Sequence, residues 1–477
     1  MPQPPQGSRR SSNHSQMDRR TFLGATAAAA TLAGTWLPGS LAAAEPAKRG
    51  DRRPKIAAVF TEFRFRSHTY NILENFFQPY LFRGKLVDPG CDVVAFYADQ
   101  FPDNDMAREV AKRLQIPLYD TIEGAVCRGG DTLAVDGVLL IGEHGDYPNN
   151  ELGQKMYPRK EFFDQIVAPM RRAGRGVPIF NDKHLSYRWD WAKQMYDTAQ
   201  ELKVPMLAGS SVPLGERRPM IDVPPGSKIT EAVVVHGGGL ESYDFHGLEV
   251  LQSLVEGRAG GETGISQVQL LSGEEYVKAY RTGLFSRELL EAALAAEQTM
   301  GVQRQKRPRV GGKPLPISDA ANPGNHVLLV TYRDGLKAAV VKHGSSSDRW
   351  DAALRIEGHK GPLATAIYNG PWGNRCLFKA LSHAIQHLFI TGEPPYPVER
   401  TLMVSGALEA AIKSHAAGGK AWRTPYLEFA YKAKDFGPFR ENGASWKLIT
   451  ADTPQPTGFE PGDGRLFGTF HPNMIGN

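Results

Sequence analysis

Short apolar runs alternate with helix-spaced apolar residues along the first half of the chain. Ile56-Ala57-Ala58-Val59-Phe60, Asp92-Val93-Val94-Ala95-Phe96-Tyr97, Gly137-Val138-Leu139-Leu140-Ile141, Val177-Pro178-Ile179-Phe180 and Pro205-Met206-Leu207-Ala208 read as buried strands. Between them, Ala107 to Leu114, Phe162 to Arg172 and Trp189 to Leu202 carry the spacing of helices. Strands separated by helix-length segments imply a parallel, doubly wound α/β sheet, because parallel neighbours need crossover connections. In such a sheet ligands sit beyond the carboxyl ends of the strands.

After Pro213 the pattern changes. Ile229 to Val235 is strand-like and His246 to Val255 helical. Val327 to Val330 and Leu336 to Val341 flank Arg333-Asp334-Gly335 as a hairpin. Cys376 to Phe389 and Val398 to Ala416 read as two late helices, the second stopped by Gly418-Gly419. The expectation is a Rossmann-like domain over 54–212, followed over 213–477 by an α+β domain with a mostly antiparallel sheet. Gly301 to Gly324, basic and rich in proline and glycine, reads as an exposed connection.

The first 44 residues change the picture of where the protein works. A basic start leads to Asp18-Arg19-Arg20-Thr21-Phe22-Leu23, an alanine-rich run to Leu37, and Ala42-Ala43-Ala44. This is similar to a twin-arginine export signal, with 45–53 as a linker after it. The apolar run is too short and glycine-containing to span a bilayer, so the expectation is cleavage and a periplasmic or extracellular protein without stable membrane insertion. The 477 residues, 41% hydrophobic and 22% charged, suffice for two cored domains. The net charge of +5 falls to +2 without the leader, which argues against a nucleic-acid partner. Cys91, Cys127 and Cys376 lack any CxxC spacing, so neither a disulfide framework nor a cysteine zinc site is expected.

Titratable residues crowd the predicted strand ends: Thr61-Glu62, Asp99-Gln100, Glu143-His144-Gly145-Asp146 and Asn181-Asp182-Lys183-His184. His236, Asp244, His246 and Glu249 follow from the second half. Glu143, His144 and Asp146 suit a hydrogen-bonded turn or, with His184 or His246, a divalent metal. Without an HxxxH or HExxH spacing no metal is expected. Tyr187, Trp189, Trp191, Tyr243 and Trp372 suit either sugar stacking or a core, and Asn374 and Arg375 are candidates to address a polar substrate.

Several stretches, in order from about Lys55 to Pro425, resemble the glucose-fructose oxidoreductase / inositol dehydrogenase / MocA family of sugar and cyclitol oxidoreductases. Val177-Pro178-Ile179-Phe180-Asn181-Asp182-Lys183-His184-Leu185 has the frame of the family's Glu-Lys-Pro strand end, with Lys183 on its lysine. The glycines Gly237-Gly238-Gly239 precede His246 and Glu249, similar to a His-x-x-Asp pair with glutamate in the last place. Pro397-Val398-Glu399 through Gly418-Gly419-Lys420 resembles the closing helix and strand. The resemblance implies a carbohydrate-like small-molecule substrate, NAD or NADP, and a dimer or tetramer. It implies Lys183 and His246 as an acid–base pair, with Asp182 orienting Lys183 and Glu249 orienting His246.

The turn after the first strand departs from the family. Phe60, Glu62 and Phe65 stand where Gly-x-Gly-x-x-Gly would fall, so conventional pyrophosphate binding is blocked by bulk and by a negative charge. Thr61, Arg64, Arg66, Asp99, Glu143 and His144 remain as candidate cofactor contacts, the arginines as planar donors to a phosphate and Asp99 as a ribose acceptor or a turn former. Three readings stay open: an exported polyol oxidoreductase, a dinucleotide-free lyase, epimerase or hydrolase, and a carbohydrate-binding protein.

Overall fold

The computed structural model describes residues 52–299 and 321–467. The leader, all but the end of the linker, and most of the basic connection lie outside them. The first half runs β1 (Lys55–Phe60), α1 (His68–Leu73), β2 (Tyr80–Phe82), β3 (Lys85–Val87), β4 (Asp92–Ala98), α2 (Ala107–Leu114), β5 (Leu118–Tyr119), α3 (Ile122–Cys127), β6 (Gly137–Ile141), α4 (Arg159–Ala173), β7 (Ile179–Asp182), α5 (Trp189–Glu201) and β8 (Met206–Gly209).

Six of these strands form one sheet in the order β5-β4-β1-β6-β7-β8, and every pairing in it is parallel. The chain starts in the middle, winds to one edge, then returns to wind to the other, which is the doubly wound order of a Rossmann-like sheet. The direction reverses between β1 and β6, and the crevice there opens at their carboxyl ends. A parallel sheet is covered on both faces, which is why β1 is apolar at every position after Lys55. Ile56, Ala58 and Phe60 pack toward α1 and α2, while Ala57 and Val59 pack toward α3 and α4.

The second half contributes β9 (Glu216–Arg218), β10 (Ile229–His236), α6 (Ser242–Val255), β11 (Ile265–Ser272), α7 (Gly273–Thr282), α8 (Arg287–Thr299), β12 (His326–Tyr332), β13 (Lys337–Lys342), β14 (Trp350–Ile356), β15 (Leu363–Tyr368), α9 (Asn374–Thr391), α10 (Val398–Ala416) and β16 (Trp422–Arg423). The eight-stranded sheet has the order β16-β11-β12-β13-β10-β14-β15-β9, antiparallel except for β10 beside β13. The hairpin expected around Asp334 is β12–β13, closed by Tyr332 and Leu336. Val234, Leu328 and Val340 face α6 and α10, while Val233, Val327 and Val341 face α7 and α8. Among the described residues, no helix is long and apolar enough to cross a membrane, and all three cysteines are free and buried.

The described residues fall in one compact unit, and α9 shows why. Its Leu381, Ala384, Ile385, Leu388 and Phe389 return to the core around Ile56, Ala58 and Phe60, on the face that α1, only six residues long, leaves open. The segment 456–463 follows it onto the same face. Phe459 packs its ring against Phe63 and Tyr70 at 5.1 and 5.4 Å, and Arg113 donates to its carbonyl at 2.9 Å. Asp463 pairs with Lys379 and accepts the Leu81 amide at 2.8 Å. Beside it, Arg375 is buried against Glu74 at 2.7 Å. Arg375 therefore locks the tail to α1 and is not free to meet a substrate. Trp189, likewise, packs against Tyr426 and Phe429 as core.

Candidate active site

The turn after β1 closes on itself. Thr61 is fully buried, and its hydroxyl donates to the Glu143 carbonyl at 2.7 Å. Arg64 Nε is ion-paired to Glu62. Arg66 sits at φ 63°, lays its guanidinium 4.7 Å over Phe65 and donates to the Pro456 carbonyl at 3.1 Å. Ser67 caps α1 and accepts the Tyr70 amide at 3.2 Å. Asp99 is exposed at the end of β4 and accepts the hydroxyls of Tyr97 and Tyr147 at 2.9 and 2.6 Å. It borders a cleft of about 310 Å³ with Phe101, Arg108 and Tyr119.

These residues do not fit a dinucleotide bound in the glycine manner. Bulk fills the close-approach positions, Glu62 repels a phosphate, and the one capped turn of α1 offers few amides. Thr61, Arg64 and Arg66, expected as cofactor contacts, are engaged within the protein.

The ends of β6 and β7 hold the densest chemistry. Glu143 accepts from Arg159 at 2.5 Å and pairs with Lys183 Nζ at 3.1 Å. Burial opposes its ionisation, yet Lys183 and Arg159 hold its pKa well below the usual carboxylate range. Glu143 is thus the counter-ion of the lysine. Both His144 and Lys183 have left-handed backbone, φ 73° and 64°, which costs a non-glycine residue roughly 1 kcal/mol or more and clusters at functional sites. The His144 ring makes no hydrogen bond at its buried Nε2, and burial together with the charge of His68 lowers its pKa to about 3.

Asp182, expected to orient Lys183, instead holds His68: Oδ2 lies 2.6 Å from Nδ1. Asp182 is the last residue of β7, and the left-handed backbone of Lys183 turns the chain there, so the lysine goes to Glu143 and not to Asp182. His68 stands edge-on to His144 at 5.1 Å between ring centroids. His184 packs against Phe245 and lies beside Arg159, and burial lowers its pKa far below the ordinary value.

From the second sheet, α6 delivers His246, whose Nδ1 is 2.6 Å from Ser210 Oγ just beyond β8. Burial, then the charges of Lys183 and His68, lowers its pKa well below the usual value, so the imidazole is neutral. Glu249, expected to orient His246, accepts instead from the Thr401 hydroxyl at 2.8 Å and the Ser210 amide at 3.4 Å. Burial raises its pKa to about 7. Residues three apart on a helix can meet, but here Thr401 of α10 takes up Glu249 while Ser210 takes up His246 Nδ1.

One further cluster adjoins this site. His236, Asp244 and His326 are buried together, with Asp244 Oδ1 3.1 and 2.8 Å from the two Nε2 atoms, a spacing that suits a metal. The Gly238 amide, however, points at His236 Nδ1 at 3.3 Å, which places the proton of a neutral ring on Nε2, toward Asp244. A ligating histidine needs the opposite tautomer. Lys342 also pairs in register with both histidines and adds a cation to the same row. The cluster therefore reads as hydrogen-bonded, and it anchors the start of α6, where Asp244 Oδ2 accepts the Glu241 amide at 3.1 Å.

The sequence pointed to Lys183, His246 and Glu143, which the structure brings together. It did not single out His68, Arg159, Ser210, Thr401 or His326. Ser210 carried a signal, following directly on a strand; Arg159 and Thr401 lie inside helices and carried none.

No family model matches the chain. No curated protein matches it either. Among solved structures it is similar to GenD2 from gentamicin A biosynthesis in complex with NAD, at 13% identity and TM-score 0.49 over 80% of this chain and 99% of that one. It is similar to myo-inositol 2-dehydrogenase from Lactobacillus plantarum at 12% identity and TM-score 0.48, over 78% and 99% of the two chains. It is similar also to scyllo-inositol dehydrogenase from Lactobacillus casei with bound NAD(H) and scyllo-inositol, at 11% and 0.46, over 78% and 99%. Two of these three bear the names of inositol dehydrogenases, the kind of protein that the sequence resembles.

Proposed function

We propose that this chain is an exported enzyme acting on a sugar, cyclitol or related polyol, with Lys183 and His246 as its acid–base pair. The observation that carries the reading is Lys183 itself: a lysine in strained backbone at a strand end, its ammonium buried on Glu143. A neutral imidazole at His246 can take a proton, and the Lys183 ammonium can hold the oxygen on which charge develops. The resemblance of the sequence to sugar and cyclitol oxidoreductases supports the substrate class, and the leader supports export.

The chemistry that these residues supply by themselves is proton transfer at a carbon beside a carbonyl, as in an epimerase or a lyase, because the turn after β1 does not cradle a pyrophosphate. A second reading, oxidation of the polyol, is favoured by one observation, the cleft beside Asp99 at the end of the second parallel strand of the fold. No side chain accepts a hydride, so that reading needs a dinucleotide held there.

The test is hydrogen exchange in D₂O. The folded chain, without added cofactor, is incubated with aldoses, ketoses, uronates and inososes, and deuterium at carbon is read by NMR. Exchange that disappears in Lys183→Ala and His246→Ala supports the first reading. Absence of exchange from every probe, with NAD released on denaturation, overturns it in favour of the second.

A further inference from the structure

We infer that His68 and Asp182 form a second acid–base dyad at this site, so that the substrate lies between two imidazoles, His68 from α1 and His246 from α6. The inference rests on the reading above and deepens it, since two bases around one carbon define the class of reaction.

The geometry carries the assignment. Asp182 Oδ2 lies 2.6 Å from His68 Nδ1, and both side chains are buried. A carboxylate on Nδ1 fixes the ring and places the proton there, leaving the Nε2 lone pair as the reacting atom. Among the described residues, nothing hydrogen-bonds that Nε2. The ring is wedged edge-on between Phe378 at 4.8 Å and His144 at 5.1 Å, so its direction is set. His68 occupies the first position of α1, immediately after the turn that in a dinucleotide-binding sheet would carry glycines. Here that turn delivers an imidazole. The groups that face it are Asp182 from β7, Glu143 and His144 from the end of β6, and His246 from α6, the last three coupled to it electrostatically.

The step balances without a cofactor. One imidazole Nε2 takes the proton from the carbon beside the carbonyl, and the C–H electron pair moves into an enolate whose oxygen the Lys183 ammonium holds. The other imidazole, once it has taken a proton from water at its Nε2, gives that proton to the opposite face of the same carbon, while the first releases its own to water. The bond broken and the bond formed are both C–H at one atom, so nothing is oxidised and no group leaves. The product is the epimer at that carbon.

The dyad is tested first without a ligand, by long-range ¹H–¹⁵N spectra of the histidine rings in the full chain, with His68 assigned through His68→Gln. The expected result is a His68 ring protonated on Nδ1 that changes tautomer in Asp182→Asn, while the His236 and His326 signals stay in place. A ring protonated on Nε2, or one indifferent to Asp182→Asn, overturns the dyad. Catalysis is read next, with whichever probe sugar the wild type exchanges in D₂O. His68→Gln should lower kcat by about 100-fold or more, with KM little changed, and added imidazole should restore part of the rate to His68→Ala. Wild-type exchange in His68→Gln alongside a dead Lys183→Ala overturns the role of His68 and leaves the proposed function standing. A wild type that exchanges no probe removes the proton-transfer reading of the site, and with it the catalytic role of the dyad.

Discussion

Ser210 Oγ lies 2.6 Å from His246 Nδ1, so the imidazole is aimed from the end of the parallel sheet and not from its own helix. The same hydroxyl accepts the Val212 amide at 3.0 Å, which fixes its position. Ser210→Ala should leave the fold intact and lower turnover roughly 10- to 100-fold, as expected when a general base loses its orientation. Kinetics beside a thermal melt would check this: a full rate with an unchanged Tm would remove Ser210 from the mechanism.

Glu249 makes stability fall as pH rises. Its pKa is raised from 4.5 to about 7, so between those values the folded protein keeps a proton that the unfolded chain has lost. Its contribution is complete below 4.5 and is lost as pH rises through about 7, a loss on the order of 3 kcal/mol. Glu241, also raised to about 7, adds in the same direction. Urea unfolding of wild type beside Glu249→Gln at about pH 5 and about pH 8 isolates this contribution: relative to wild type, the variant should gain on the order of 3 kcal/mol on going to the higher pH.

His144 works with the opposite sign. Its pKa is lowered from 6.5 to about 3, so acid charges the unfolded chain first, and stability is lost as pH falls from 6.5 toward 3. His184 and His246, shifted the same way by burial, add to it. His144→Asn should be less acid-sensitive than wild type in a pH titration monitored by circular dichroism; equal sensitivity would mean that His144 is solvated.

Gly209 is required where β8 meets Glu249. Its φ is 124°, and a Cβ there would stand 2.7 Å from Glu249 Oε2 and 2.8 Å from Thr401 Oγ1. Gly209→Ala should cost about 2 kcal/mol or more through strain and displacement of that pair. A denaturation midpoint equal to that of wild type would show that the pair relaxes freely.

Asp463 holds a buried cation. It lies between Lys379 and Arg375, all nearly inaccessible to solvent, so Asp463→Asn strands an ammonium and should destabilise by about 3–5 kcal/mol. The exposed pair Arg171–Glu201 is the control, where Glu201→Gln should cost less than about 1 kcal/mol. Chemical denaturation of the two variants side by side gives the comparison.

Five of the six strands of the parallel sheet were readable because each carries a short apolar run, as burial on both faces requires; β5, the two-residue edge strand Leu118–Tyr119, is too short to show one. The helix α1 was not, because His68-Thr69-Tyr70-Asn71 carries no helical stripe. The pattern in Cys376 to Phe389 announced a helix with a buried face, but amphipathicity does not say against which sheet that face lies. Strands β11, β14 and β15 went unread although glycines bound each of them, because polar residues interrupt their apolar runs: Ser266, Gln267 and Gln269 in β11, Asp351 and Arg355 in β14, and Thr365 in β15. At the site, Lys183 and Glu143 were visible as titratable residues at strand ends. The partners of Asp182 and Glu249 were not, since His68 and Thr401 come from 114 and 152 residues away.

The bond from the Leu81 amide to Asp463 joins residues 382 positions apart. A ribosome delivers the parallel sheet early and the segment that seals it very late. Until α9 and Phe459 emerge, Ile56, Ala58 and Phe60 have one face open, and the nascent chain presents it to whatever chaperone or aggregate is near. The two halves cannot mature one after the other as independent domains; the first core is complete only once the chain has been made as far as Asp463.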